Sequence, residues 1–181
     1  MPRTIFLDRD GVLNQTIWRA GVSCPPVTLD EFRILPGVSG ACALLKGAGF
    51  LLIVVTNQPD VSRGSARLES VEAINQHLRA NLPVDDIRVC YHDDRDGCSC
   101  RKPNPGLLLQ AAIDWKINLA GSFMIGDRWK DIEAGKRAGC RTILVGEGAG
   151  LPGNLCPDHR TNSLLDAVGW IIQQESVVQE G

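Results

Sequence analysis

Residues 4–14 of the chain read TIFLDRDGVLN, an apolar run that ends in two carboxylates, Asp8 and Asp10. The apolar run predicts a buried strand. Carboxylates two residues apart at the end of a strand can point the same way, and Gly11 allows a sharp turn and close approach of a ligand. Such a pair suits chemistry on phosphate, because one carboxylate can attack phosphorus while the other handles the proton of the leaving group. The alternative is a surface turn rich in Asp and Gly.

The size and charge of the chain narrow its class. Its 181 residues, 44% of them apolar, predict one domain over residues 1–181 with a sizeable core. With a net charge of −2, the chain lacks the excess of positive charge that favours binding to nucleic acid or to an anionic membrane. No apolar run approaches the roughly 20 residues that span a bilayer, and the N-terminus carries no signal-peptide pattern. We expect a cytoplasmic monomer with no nucleic-acid or membrane partner.

Apolar segments alternate with helical patterns along the rest of the chain. The predicted strands after the first cover 50–55, 87–89, 122–125 and 141–145, and the predicted helices cover 38–46, 67–82, 105–115, 132–138 and 163–174. The continuous apolar run at 50–55 indicates a strand covered on both faces, as in a parallel sheet. The alternation predicts a doubly wound, Rossmann-like α/β fold with a mostly parallel sheet. Residues 15–36 lack such periodicity and are predicted to form an irregular covering loop.

Three further polar stretches follow predicted strands, where ligands of such folds bind. Thr56 can bind a phosphate oxygen through its hydroxyl, or it can serve as a turn residue. Lys102 can neutralise charge on a transferring phosphoryl group, or it can lie in a solvated basic turn. Asp127 is a natural ligand for Mg²⁺. Asp131, one helical turn later, is expected to hold Lys102 or a metal-bound water, or to complement a helix N-terminus.

A cluster of cysteine and histidine precedes Lys102. Cys90, His92, Cys98 and Cys100 supply three thiolates and one imidazole within eleven residues. Four soft ligands suit tetrahedral Zn²⁺ and leave no open position, which predicts a structural site. The expected role of the zinc is to fix the loop that presents Lys102. Free cytosolic thiols beside a chance histidine are the alternative.

Taken together, these stretches resemble the motifs of the haloacid-dehalogenase superfamily of phosphatases. DRDGVLN at 8–14 is similar to the first motif, TNQ at 56–58 to the second, Lys102 to the third, and 126–127 with Asp131 to the fourth. The zinc-type cluster and RKPNPG at 101–106 are similar to a small-capped branch that holds phosphatases of heptose bisphosphate and of histidinol phosphate. No insertion between motifs is long enough for a large cap domain.

The resemblance implies a role for each matching residue. Asp8 would be the nucleophile that forms an aspartyl-phosphate, and Asp10 the general acid and then the general base. Thr56 and Lys102 would hold the phosphoryl group. Asp8, the backbone carbonyl of Asp10 and Asp127 would bind catalytic Mg²⁺, and the cysteine and histidine cluster would bind structural Zn²⁺.

The same resemblance implies a Mg²⁺-dependent phosphomonoesterase that removes the 7-phosphate of D-glycero-D-manno-heptose 1,7-bisphosphate, a step towards lipopolysaccharide. Its partner would be this small-molecule sugar phosphate. The expected substrate contacts are Thr16, Arg19, Asn57, Gln58, Arg63, Arg101 and Arg128.

Two alternatives stay open at this point. A histidinol phosphatase would need acidic or aromatic contacts near residues 16–30, and Asp30 and Glu31 are the only acids there. A zinc-clipped module that binds phosphate without turnover is the alternative of another class. The family usually continues TNQ with Ser-Gly, whereas this chain has Pro59-Asp60, so the departures lie where a leaving group would be recognised.

Overall fold

A computed structural model describes residues 1–148 and 150–179 of the chain. Its strands are β1 (Thr4–Leu7), β2 (Ile17–Arg19), β3 (Val22–Cys24), β4 (Leu51–Asn57), β5 (Asp86–Cys90), β6 (Phe123–Gly126), β7 (Arg141–Val145) and β8 (His159–Thr161). Six of them form one sheet in the order β5-β4-β1-β6-β7-β8. Every neighbouring pair in this sheet is parallel. The predicted fold is confirmed.

Helices cover both faces of the sheet. They are α1 (Val38–Gly47), α2 (Leu68–Asn81), α3 (Gly106–Trp115), α4 (Trp129–Ala138) and α5 (Leu164–Gln179). One buried cluster joins α1, α2 and α5 to a face of the sheet that includes Ile5 and Leu7. A second joins α3 and α4 to the face that includes Phe6. Successive β1 residues thus point to opposite cores, which explains the continuous apolar run.

The segment predicted as an irregular loop contains a β-hairpin. Strands β2 and β3 pair antiparallel, with Arg19 opposite Val22. Ala20 and Gly21 form the connection, with φ values of 49° and 77°. Two-residue hairpin loops favour such positive φ values, but Ala is not one of the residues from which these loops are usually predicted. The prediction of irregular structure was therefore wrong over Ile17–Cys24.

Several leucines of the helices are exposed. Leu44, Leu68 and Leu109 are between 41% and 52% exposed. Leu45 and Leu108, the sequence neighbours of Leu44 and Leu109, are buried. In runs of adjacent leucines the helical period fits two choices about 100° apart, and packing against the sheet selects one.

The helix boundaries differ from the predicted ones mainly at α4 and α5. Helix α4 begins at Trp129, three residues earlier than expected, and α5 extends to Gln179. Strand β8 was not predicted, because its sequence His-Arg-Thr is polar and lies at the end of the sheet. Within the described ranges, no helix combines the length and apolar character that crossing a bilayer requires. The single domain over residues 1–181 stays a prediction.

Candidate active site

The central strands of the sheet bring the sequence motifs to one edge. Strand β1 lies between β4 and β6, with Leu7 paired to Val54 on one side and to Ile125 on the other. Because all three strands run parallel, the residues that follow them emerge together. The Asp8 amide still donates to the Ile125 carbonyl, at 2.9 Å. The nucleophile predicted from the sequence is therefore fixed by the sheet itself.

Lys102 connects this edge to the loop after β5. Its ammonium lies 2.8 Å from Asp8 Oδ1 and 2.6 Å from Asp131 Oδ1, and it donates to the Val55 carbonyl at 2.8 Å. The side chain is only 2% exposed. Asn57 bonds the Lys102 backbone in both directions, at 3.0 and 3.1 Å. These contacts hold one cation between two carboxylates away from water.

Burial and crowded carboxylates shift the ionisation of the site. Burial raises the pKa of Asp8 to about 8, although Lys102 opposes the shift, and the charges of Asp131 and Asp127 add to it. Burial and the charge of Asp131 likewise raise the pKa of Asp127 to about 6. For Lys102, burial favours a lower pKa, but attraction by Asp131 and Asp8 outweighs it and raises the pKa. Three carboxylates thus face one ammonium, and a further cation would stabilise them.

The carboxylates have a geometry that suits a divalent cation. Asp8, Asp127 and Asp131 each offer an oxygen within 4.8 Å of the others. Asp127 Oδ1 is buried and has no hydrogen-bond partner among the described residues. A buried, unpaired carboxylate oxygen is costly unless something coordinates it. Oxygen ligands of this kind are those that Mg²⁺ prefers, so the residues fit the predicted ion.

Asp10 is held by donors on several sides. Asn14 Nδ2 donates to its Oδ1 at 2.9 Å, and Gln58 Nε2 donates to its Oδ2 at 2.7 Å. The same Gln58 amide donates to Thr56 Oγ1 at 2.9 Å. The guanidinium of Arg9 contacts both Asp10 oxygens, at 3.1–3.4 Å. Asp10 and Thr56 are thereby tied into one polar network beside Asp8.

The predicted zinc ligands come together in space. The Sγ atoms of Cys90, Cys98 and Cys100 lie 3.2–3.7 Å apart, and His92 Nδ1 lies 3.3 Å from Cys100 Sγ and 3.6 Å from Cys90 Sγ. Zn–S bonds of about 2.3 Å in a tetrahedron separate neighbouring sulfurs by about 3.8 Å. Burial and the Cys100 thiol raise the pKa of Cys90. A cation would be needed to ionise these thiols together.

Several predicted substrate residues contact protein groups. Arg19 pairs with Glu31 at 2.5 Å and donates to the Pro25 carbonyl, which fixes the β2–β3 hairpin. Arg63 pairs with Asp93 at 2.5 Å. Thr16 lies directly before β2.

The remaining predicted contacts are Asn57, Gln58, Arg128 and Arg101. Asn57 and Gln58 make the contacts with Lys102 and Asp10 described above. Arg128 donates to the Ser23 carbonyl of the hairpin at 3.0 Å. Arg101 binds Asp94 through Nε at 2.8 Å.

Sequence reasoning missed two contributors to the site. Lys130 lies 3.5 Å from the carboxylate of Asp94, which Arg101 also binds. Lys130 directly precedes Asp131 in the sequence, which places it beside the site. Arg9 is fully buried. The alternation of side chains along β1 could have indicated this, since Arg9 continues the series Ile5 and Leu7, which face the core of α1, α2 and α5.

The fold and the carboxylates around Lys102 fit a hydrolase that acts on phosphate. A family model described as HAD-hydrolase-like matches residues 99–169. The D-glycero-beta-D-manno-heptose-1,7-bisphosphate 7-phosphatase of Pseudomonas putida is 37% identical over 153 residues, covering 82% of this chain and 85% of that protein. The enzyme of the same name from Yersinia pestis is 34% identical over 177 residues, covering 90% and 91%.

A solved structure supports the same relationship. The D,D-heptose 1,7-bisphosphate phosphatase of Bordetella bronchiseptica, solved with magnesium and phosphate, matches with a TM-score of 0.82 and 34% identity, covering 95% of this chain and 99% of that one. The chain belongs to the haloacid-dehalogenase-like hydrolases, in the family of the D-glycero-D-manno-heptose-1,7-bisphosphate 7-phosphatases. The resemblance drawn from the motifs is confirmed, as is the expectation of a phosphomonoesterase.

Gly11 gives a direct test of the site geometry. A Cβ added there would lie 2.4 Å from Asp127 Oδ2, and φ is 87°. We expect Gly11→Ala to displace Asp127 and lower kcat/KM about 100-fold or more, because small misplacements at a reacting centre are costly. Steady-state kinetics with Mg²⁺ titration measures this, and the required Mg²⁺ concentration should rise.

The matched control is Gly49→Ala. Gly49 has a similar φ of 85°, but a Cβ there meets no atom of the described residues within 4 Å. Both variants share the backbone strain, about 1–2 kcal/mol, so both should lose similar stability in thermal unfolding. Equal kinetic effects in the two variants would contradict the role given to Gly11.

Proposed function

We propose that this chain hydrolyses the 7-phosphate of D-glycero-D-manno-heptose 1,7-bisphosphate through a phosphorylated Asp8. The observation that carries the chemistry is the buried Lys102 ammonium between Asp8 and Asp131, at 2.8 and 2.6 Å. The choice of sugar follows the relatives that carry this activity in their names. A monomeric state and a cytoplasmic location stay predictions.

The first step transfers the phosphoryl group to Asp8. Lys102 occupies Oδ1 of Asp8, and the other carboxylate oxygen attacks phosphorus. A bond forms between that oxygen and phosphorus while the bond from phosphorus to the ester oxygen breaks. The electron pair stays on the ester oxygen, which takes the proton of Asp10 and leaves as the alcohol. Thr56 and Lys102 hold the phosphoryl oxygens during the transfer.

The second step returns Asp8 to its starting state. Asp10, now ionised, accepts a proton from water as the water oxygen attacks phosphorus. The bond from phosphorus to the Asp8 oxygen breaks, and inorganic phosphate leaves. The Asn14 and Gln58 amides that hold Asp10 keep its carboxylate in place for both proton transfers.

The two metals of this proposal have different tasks. Asp8, Asp127 and the Asp10 carbonyl would hold Mg²⁺, and the unpartnered Asp127 Oδ1 supports that assignment. Bound there, Mg²⁺ supplies positive charge that reduces repulsion between carboxylates and phosphate. The cluster of Cys90 and its three neighbouring ligands would hold Zn²⁺, which closes the loop leading to Lys102.

The second phosphate of the substrate needs its own cations. Arg101 and Lys130 both approach the carboxylate of Asp94, at 2.8 and 3.5 Å. They adjoin Lys102 and Asp131 in sequence, so they flank the reacting centre. Arg101 is suited to bidentate contact with a phosphate. Asp94 would then release these cations to the substrate.

Phosphate release from a panel of esters tests the function. The panel contains both anomers of the heptose bisphosphate, histidinol phosphate and a 3′-phosphorylated oligonucleotide, each with Mg²⁺. We expect the β-anomer to give the highest kcat/KM, about tenfold or more above the others, since the Pseudomonas putida and Yersinia pestis relatives are named for it. Preference for histidinol phosphate would assign the same chemistry to another substrate. Release from none of the esters would favour the binding module.

Arg101→Met tests the second phosphate. We expect KM for the bisphosphate to rise about tenfold or more, because one charge-assisted contact is lost. KM for 4-nitrophenyl phosphate, which has one phosphate, should change little. Arg95→Met, at an exposed position of the same loop, is the control and should alter neither. A similar rise for both esters would remove Arg101 from the second phosphate.

Removal of zinc separates loop placement from folding. The zinc cluster lies at the end of β5, where Cys90 belongs to the core of α3 and α4, while the cores on the two faces of the sheet draw on α1 to α5. A zinc chelator, followed by restored Mg²⁺, should lower kcat about tenfold or more while the thermal midpoint falls by only a few degrees. Added Zn²⁺ should restore the rate. Parallel loss of activity and folded structure would show that zinc stabilises the whole domain.

A further inference from the structure

Arg9 is a buried cation to which the reaction described above gives no role. Its side chain is 0% exposed. Nε and NH2 contact both oxygens of Asp10, at 3.1–3.4 Å. NH1 donates to Asn75 Oδ1 of α2 at 3.0 Å. The guanidinium therefore connects the proposed acid to a helix outside the strand-end loops.

We propose that Arg9, anchored by Asn75, is a positioning residue that holds the Asp10 carboxyl where its proton reaches the leaving oxygen. The inference rests on the proposed function, since it needs Asp10 to be the general acid. It adds a residue pair that acts through Asp10 and does not touch the substrate.

The alternating side-chain directions along β1 explain how one loop places Asp8 and Arg9 on opposite faces of the sheet. Ile5 and Leu7 face the core that contains Ile74 of α2, and Arg9 continues in that direction. Asp8 continues in the direction of Phe6 and meets Lys102. Nucleophile and positioning cation thus leave the strand on opposite faces.

The contacts of Asp10 show what the guanidinium adds. Asn14 contacts Oδ1, and Gln58 contacts Oδ2. Each amide holds one oxygen through a single donor. The planar fork of Arg9 meets both oxygens and so restricts rotation of the carboxyl plane.

Asn75 in turn fixes the guanidinium. It is 3% exposed, and its Nδ2 lies 3.5 Å from Glu72 Oε1. Glu72 also accepts the hydroxyl of Tyr91. Because Nδ2 faces Glu72, Oδ1 faces Arg9, and the amide accepts from NH1.

The cost of desolvation indicates that the guanidinium of Arg9 does more than fill space in the core. A buried cation costs several kcal/mol of solvation, which apolar packing avoids. Ile74 and Leu78 of α2 belong to the buried apolar cluster on this side of the sheet. The contacts that use the guanidinium are those with Asp10 and Asn75.

The test uses the dependence of kcat/KM on the leaving group. kcat/KM reports the steps through phosphoryl transfer to Asp8. 4-Nitrophenolate leaves without a proton, whereas an alkoxide needs one. For a series of aryl phosphates and one alkyl phosphate, log kcat/KM is therefore plotted against the pKa of the leaving group. The slope of this plot should become steeper when Asp10 is misplaced. Loss of fold alone would lower every ester equally.

We expect Arg9→Met to lower kcat/KM for the alkyl phosphate about 10–100-fold and for 4-nitrophenyl phosphate less than about threefold. Asn75→Ala should give the same pattern at smaller size, about fivefold for the alkyl ester, and decides the matter if Arg9→Met does not fold. Arg9→Lys should restore little, because an ammonium lacks the fork. An unchanged slope in the folded variants would overturn the proposal.

Two further variants separate this inference from the proposed function. Asp10→Asn should steepen the slope more than any Arg9 variant. An unchanged slope in Asp10→Asn would overturn the acid assignment and this inference together, whereas a steep slope there with a normal one in Arg9→Met overturns only the inference. Lys46→Met breaks another partly buried ion pair, with Asp85 at 2.8 Å, and should leave the slope unchanged.

Discussion

The ammonium of Lys102 is the constraint on which the rest of the site depends. A lysine that is 2% exposed is tolerated because Asp8 and Asp131 lie within 2.8 Å of it and the Val55 carbonyl accepts a hydrogen bond from it. Removing any of these groups would leave a buried charge without its partner. The same ammonium keeps carboxylates together that would otherwise repel, and so prepares a place for a divalent cation.

Two kinds of structure deliver the groups that meet at Lys102. The parallel sheet places Asp8 beside its neighbouring strand ends, so their convergence follows from strand order alone. Lys102 comes from an irregular loop, and three contacts replace regular structure there. Asn57 bonds its backbone, Arg101 binds Asp94, and the cysteine cluster gathers the preceding residues. The order of this loop therefore determines where the Lys102 ammonium lies relative to Asp8.

Sequence reasoning succeeded where local pattern determines position. Continuous apolar runs followed by Asp8 or Asp127 gave both the sheet and its reactive edge. It could not give the partners of long charged side chains, because those depend on distant residues. Arg19 was expected at the substrate, yet Glu31 lies 2.5 Å from its guanidinium. Arg9 lies in a stretch that could form a surface turn, yet it is fully buried, because it follows the direction of Ile5 and Leu7 towards the core of α1, α2 and α5.

Trapping of the covalent intermediate tests the central claim most directly. The enzyme is mixed with bisphosphate, quenched within milliseconds and treated with borohydride, which reduces an acyl phosphate to an alcohol. Peptide mass analysis then locates the change. We expect homoserine in place of Asp8, with Asp10 and Asp127 unmodified. Reduction at another residue, or turnover of substrate with none reduced, would contradict a mechanism in which Lys102 presents Asp8 as the nucleophile.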